Sequence, residues 1–180
     1  MKVVAIGDSI TYGYPYTNSD SWVRLTSDKL NLEIFNQGVC GDLTRDMLNR
    51  FALDVLSLNP THVVIMGGTN DAYCNLPVAE ISRNIDQMVK TCFLRNIIPI
   101  IALPLPCADE QEEKILASYR EWMRCYSVSK KAALLDFYSP MLKNNGKIED
   151  HVLIDGVHPS RKGYQMMMKC AVAQLKVIFS

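Results

Sequence analysis

Short apolar runs that end in glycine and small polar residues, each followed by an amphipathic stretch, recur along this chain and restrict its fold more than any other feature. Val3-Val4-Ala5-Ile6 leads into Gly7-Asp8-Ser9, Glu33 to Gln37 into Gly38-Val39-Cys40-Gly41-Asp42, and His62 to Met66 into Gly67-Gly68-Thr69-Asn70-Asp71. Runs this short and this apolar, bounded by turn residues, read as strands buried on both faces of a parallel sheet. Two further strands are expected at Ile97 to Leu103 and Ala133 to Phe137. Pro99 lacks a ladder donor, so pairing in the fourth is expected to begin near Ile100.

Helical periodicity fills the intervals. Ser21 to Leu30, Leu43 to Leu56, Val78 to Leu94, Gln111 to Ser129 and Arg161 to Ile178 each repeat apolar residues at three- and four-residue spacing. In the fourth helix Ile115, Leu116, Tyr119, Trp122, Met123 and Tyr126 are expected to face inward. Glu112, Glu113, Lys114, Arg120, Glu121 and Arg124 are read as its solvated face. Asn144-Asn145-Gly146 marks a surface turn. Five strand–helix units in series predict an α/β domain, a parallel sheet with helices on both faces. At 180 residues the chain has the length of one domain, residues 1–180, with a sizeable core.

Charge excludes some functions. Nineteen basic residues balance 19 acidic ones, and no Lys/Arg-rich block is present. A nucleic-acid partner is therefore not expected, nor is an anionic membrane surface. No apolar run is long enough to span a bilayer, so no integral membrane contact is expected. No leader peptide is recognisable, because the first strand begins at residue 3. The six cysteines form no Cys-x-x-Cys pair and no zinc-type cluster with histidine, so no metal is expected. They are read as reduced and buried, which points to the cytoplasm. Cys40 beside Gly41 has a rival reading as a catalytic thiol, but no base lies near it in sequence. Oligomeric state is left open.

A parallel sheet brings the carboxyl ends of its strands to one edge, where open α/β sheets bind ligands. Ser9, Gly41 and Asn70 follow three such ends and can converge there. A serine hydroxyl needs an adjacent base to act as a nucleophile. Asp155-Gly156-Val157-His158-Pro159 offers one: residues three apart share a face of a helical turn, so Asp155 can orient the His158 ring and leave its other nitrogen for Ser9. His151 has only its sequence neighbour Asp150, and adjacent residues do not face one another. Asp8, Asp42 and Asp71 are read as caps and turn-formers. The N–H groups of Ser9 and Gly41 and the Asn70 side-chain amide are plausible donors to an oxyanion.

The ordered set Gly7-Asp8-Ser9-Ile10, Gly41, Gly68-Thr69-Asn70-Asp71 and Asp155-Gly156-Val157-His158-Pro159 resembles the SGNH, or GDSL, hydrolase superfamily, over most of the chain. The resemblance implies a three-layer flavodoxin-like fold with strand order 2-1-3-4-5. It implies Ser9 as nucleophile, His158 as base, Asp155 as orienting acid, and Ser9, Gly41 and Asn70 as oxyanion hole, with no cofactor. Ile10 stands where the motif has leucine, and His62 where many relatives carry an acid. Ile10, Tyr12, Tyr14, Tyr73, Leu105 and Val157 are expected to line the substrate pocket. The expected activity is hydrolysis of small-molecule esters with short acyl or acetyl groups, the alternatives within the family being a carbohydrate acetylesterase or a thioesterase. A rival of another class is an anion-binding flavodoxin-like module. It lacks a Gly-x-Gly-x-x-Gly or P-loop, and Asp8, Asp42 and Asp71 oppose an anion.

Overall fold

The computed structural model describes residues 1–179. Five strands, β1 (Val3–Gly7), β2 (Ile34–Gly38), β3 (His62–Met66), β4 (Ile98–Ala102) and β5 (Ala133–Leu135), form one parallel sheet in the order β2-β1-β3-β4-β5. Seven α-helices accompany them: α1 (Ser9–Tyr12), α2 (Trp22–Leu30), α3 (Thr44–Asp54), α4 (Thr69–Tyr73), α5 (Val78–Leu94), α6 (Glu110–Lys130) and α7 (Arg161–Ile178). This is the expected three-layer, flavodoxin-like arrangement. The chain steps from β1 to β2 in one direction and then crosses to β3 on the other side of β1. Crossovers reverse there, and ligands of such sheets bind at that point.

Side-chain alternation along the strands divides the interior into two cores. Val4, Ile6, Val63, Ile65 and Ile101 point to one face and pack under α3, α5 and α6, with Met47, Ile85, Met88 and Tyr119. Val3, Ala5, Val64, Met66, Ile100 and Ala102 point to the other and pack under α2 and α7, with Trp22, Phe137, Tyr164 and Met167. All five residues of β1 and all five of β3 are buried. A central strand covered on both faces needs such an unbroken apolar run.

Three expectations are corrected. Pro99 is paired, opposite Val63, one residue before the predicted start. The Ile98 N–H points toward β3 and bonds Thr61 O at 3.0 Å. The next nitrogen, that of Pro99, therefore faces the β5 side, where pairing starts only at Ile100 opposite Ala133; no donor is needed there. The charged side of α6 is not uniformly solvated. Arg120 is 3% exposed. It donates to Leu105 O at 3.0 Å and to Glu113, and stacks on the Tyr138 ring. Arg124 pairs with Asp136. Nor are all cysteines buried: Cys92, Cys107 and Cys170 are, whereas Cys40, Cys74 and Cys125 are exposed, and all six are free.

Candidate active site

Ser9 opens α1 immediately after β1. Asp8 caps that turn, its carboxylate accepting the Ile10 N–H at 2.9 Å, and Gly13 closes it in the left-handed region. The turn leaves Ser9 almost buried at the carboxyl edge of the sheet, with its hydroxyl toward the loop that precedes α7. Ser9 Oγ lies 3.0 Å from His158 Nε2, and His158 Nδ1 lies 2.7 Å from Asp155 Oδ2. Residues 149 positions apart in sequence are thus joined as expected.

The segment carrying the acid and the imidazole is a bend, not the helical turn expected from the spacing. Asp155 Oδ1 accepts the N–H groups of Val157 at 3.0 Å and His158 at 2.8 Å, and Gly156 takes φ +87°. One oxygen shapes the turn and the other holds the ring, a use of the short Asp side chain that helical spacing does not describe. Partial burial raises the Asp155 pKa, but the three hydrogen bonds outweigh it and hold the carboxyl below its ordinary range. An ionised Asp155 keeps the Nδ1 proton facing it and leaves Nε2 free to accept from Ser9.

Gly41 and Asn70 meet at the same edge. Gly41 has φ +86°, and a Cβ built on it would meet nothing within 4 Å, so the turn borders open space. Asn70 Nδ2 donates to Asp42 O at 2.9 Å, which ties the loops after β2 and β3 together. Ser9 N–H, as the first of α1, has no acceptor within the helix.

The surrounding acids serve the framework, as expected. Asp71 is buried and accepts Thr44 N–H and Thr44 Oγ1–H, the latter at 2.6 Å. Its burial raises its pKa in spite of those bonds. Asp8 is 1% exposed, and burial with the neighbouring Asp71 charge pushes its pKa up to about 6 against the Ile10 hydrogen bond. Partial desolvation and the Asp8 charge raise the Cys40 thiol pKa, the opposite of the shift that activates a cysteine nucleophile.

A half-open pocket of about 260 Å³ adjoins His158, lined by Thr69, Asn70, Tyr73, Glu112, Val157 and His158. Tyr73 and Val157 therefore lie where the sequence placed them. Tyr14 lies edge-on to the His158 ring, with centroids 4.6 Å apart. Ile10 and Leu105 are corrected: they are 1% and 2% exposed, in the core cluster that holds Trp22 and Phe137. Tyr12 ends α1 partly exposed and does not line the pocket. His151 is exposed and takes φ +61° in the turn before Val152. His62 sits at the amino end of β3 against Phe179.

Two residues here were not singled out as site residues. Arg50 of α3 donates to Asp42 Oδ2 at 2.6 Å, Asp54 Oδ2 at 2.9 Å, Gly7 O at 3.0 Å and Gln37 O at 2.8 Å. It clamps the ends of β1 and β2 to the Gly41–Asp42 loop. Its one sequence signal is the Arg50–Asp54 spacing, which alone reads as a surface ion pair. Glu112 enters the pocket from the first turn of α6, where acids are ordinary. Among the described residues no cluster of three or more His, Cys, Asp or Glu side chains could hold a metal ion.

A serine hydroxyl bonded to an imidazole that is itself bonded to a carboxylate, at the switch point of a doubly wound sheet, has the arrangement of a serine-type hydrolase. A sequence profile of the GDSL-like lipase/acylhydrolase family matches residues 5–166. The chain belongs to this family and is a carboxylic ester hydrolase. Solved structures agree. A protein assigned to the lipolytic G-D-S-L family from Desulfitobacterium hafniense DCB-2 is 33% identical, with TM-score 0.89 over 96% of this chain and 98% of that one. The lipase/acylhydrolase from Enterococcus faecalis is 28% identical, with TM-score 0.85 over 98% and 96%. Among curated proteins, the Bacillus subtilis lipoprotein YqeF, itself uncharacterised, is 28% identical over 92% of this chain and 85% of its own length.

Proposed function

We propose that the chain hydrolyses short-chain acyl esters through an acyl-enzyme on Ser9, with His158 as general base and acid and Asp155 orienting it. The observation that carries the reading is the continuous contact Ser9 Oγ–His158 Nε2–His158 Nδ1–Asp155 Oδ2, at 3.0 and 2.7 Å. Nε2 takes the Ser9 proton as Oγ attacks the ester carbonyl, and Asp155 stabilises the imidazolium that forms. The negative charge on the carbonyl oxygen falls to Ser9 N–H, Gly41 N–H and Asn70 Nδ2. One Asn70 amide hydrogen is committed to Asp42 O, and the other remains to donate. His158 then returns the proton to the leaving alcohol. In the second half it takes a proton from water, which attacks the acyl-Ser9 carbonyl, and it returns that proton to Ser9 Oγ as the acyl–Oγ bond breaks and the acid leaves.

Acyl groups from acetyl to about hexanoyl fit the reading best, because the pocket beside His158 is small and half-open. A ladder of p-nitrophenyl esters from acetate to palmitate, with Ser9→Ala alongside, tests both parts. Hydrolysis that peaks at or below hexanoate and vanishes in the variant is expected. Turnover retained by Ser9→Ala overturns the mechanism, and a peak at decanoate or longer overturns the chain-length assignment. A reducing compartment, the cytoplasm, is proposed as the location on the strength of six unpaired thiols, three of them exposed. Cell fractionation checks this, and recovery with the membrane, which the lipoprotein name of one relative raises, would refute it.

A further inference from the structure

The wall of the pocket carries a charge that hydrolysis itself does not need. Apart from His158, the only ionisable carboxyl or amine among its lining residues is Glu112. The acids beside it are occupied. Glu113 holds Arg120 and accepts the Cys107 N–H, and Asp109 caps α6 through the N–H groups of Gln111 and Glu112. Glu112 meets only the weak donor Cys107 Sγ, at 3.1 Å. Neighbouring guanidinium groups are committed elsewhere: Arg50 to Asp42, Asp54 and two strand-end carbonyls, Arg120 to Glu113 and Leu105 O, and Arg161 to Asp20.

Aromatic surface stands beside this carboxylate. Tyr73 lines the pocket and is 72% exposed; Tyr14, 44% exposed, has its ring against His158. A carboxylate and a tyrosine ring lining the same small cavity favour an alkylammonium group, which gains Coulomb attraction and ring-face contact together. A carboxylate or phosphate on the substrate would be repelled by Glu112 and the acids behind it. The helix alone explains an acid in the first turn of α6, but Asp109, Glu110 and Glu113 already serve that end, and it does not explain why one acid borders the pocket.

We propose that Glu112 is a specificity-determining residue that makes this site prefer esters of cationic amino alcohols over their neutral isosteres. The proposal rests on the ester-hydrolase reading of Ser9 and His158 and adds the class of alcohol. Acetylcholine and 3,3-dimethylbutyl acetate form the matched pair, since they differ in a quaternary nitrogen against a quaternary carbon. The ratio of their kcat/KM values is independent of the fraction of enzyme folded, so it survives any loss of stability in a variant.

For the wild type this ratio is expected to favour acetylcholine by about tenfold, the scale of one charge contact plus a ring contact in a half-open site. Glu112→Gln should bring the ratio close to one, and Glu112→Lys should reverse it. A wild-type ratio near one, or a preference that Glu112→Gln leaves intact, overturns the proposal. So does an enzyme that turns over p-nitrophenyl acetate but neither member of the pair. p-Nitrophenyl acetate hydrolysis by wild type and Ser9→Ala separates the two readings. Ser9-dependent turnover with a flat ratio sinks only the specificity, whereas Ser9-independent turnover sinks the mechanism beneath it.

Discussion

Asp8→Asn is expected to change the pH dependence of stability in a direction set by burial. Asp8 is 1% exposed, its hydrogen bond is the Ile10 N–H at 2.9 Å, and its charged neighbours include Asp71 and Asp42. Its folded-state pKa of about 6 lies some two units above that of an unfolded chain. The folded protein therefore binds this proton more tightly. The group costs nothing below about pH 4, where both states hold the proton, and the cost is complete above the folded pKa of about 6. Two units at about 1.4 kcal/mol each give a penalty of about 3 kcal/mol at pH 8. Asparagine keeps the cap, because its side-chain oxygen accepts the same N–H, and it removes the charge at every pH. The variant's stability relative to wild type should therefore improve by about 2–3 kcal/mol on going from pH 4 to pH 8. Urea titrations of both proteins at the two pH values measure this, with contributions from other groups cancelling in the difference. An offset equal at both pH values, within about 0.5 kcal/mol, refutes the argument. Activity should move the other way, since the Asp8 charge favours the imidazolium that His158 becomes: kcat at pH 8 should fall several-fold.

Arg50→Ala frees the Asp42 loop from the ends of β1 and β2 and should lower kcat by about tenfold or more with a smaller change in KM, because Asn70 is aimed through Asp42 O. Arg50→Lys should recover little of it, as one ammonium cannot reach four acceptors in a plane; steady-state kinetics decide. Arg120→Met leaves Leu105 O and the Glu113 carboxylate without their guanidinium partner and should cost about 3 kcal/mol in urea denaturation, whereas a loss under 1 kcal/mol would mean that the charge is not held by burial.

How far the sequence could be read depended on what each signal encodes. The bounds of β3, α5 and α7 agree with the structure because long periodic or unbroken apolar runs define them. The single turns α1 and α4, four and five residues long, carry no period to detect. Ser9 and His158 were legible because their chemistry needs a partner of the other type. Ile10 and Leu105 were misplaced because nearness to Ser9 in sequence, or to the strand edge, does not say which way a side chain points. Ile10 turns toward the core that holds Trp22, away from its neighbour's hydroxyl. Arg50 and Glu112 were missed because exposed helix positions favour such residues on propensity alone, and only the fold brings other groups to them.

The acids at the strand ends explain how short loops hold a site steady. Loops after parallel strands bury few apolar groups, so polar cross-links must fix them. Asp71, after β3, holds the start of α3 through Thr44, and Thr44 Oγ1 accepts Asn84 Nδ2 at 3.0 Å. Asp42, after β2, is gripped by Arg50 while its carbonyl holds Asn70. Asp8, after β1, shapes the turn that presents Ser9. Of the three, only Asp42 has a cation beside it. Asp8 and Asp71 are held by neutral donors in a buried layer that raises both pKa values. The fold thus gives up stability where its loops need rigidity, as expected at a functional edge. Held by these cross-links, the turns after β1, β2 and β3 keep Ser9, Gly41 and Asn70 at one edge of the sheet, where His158 reaches the nucleophile.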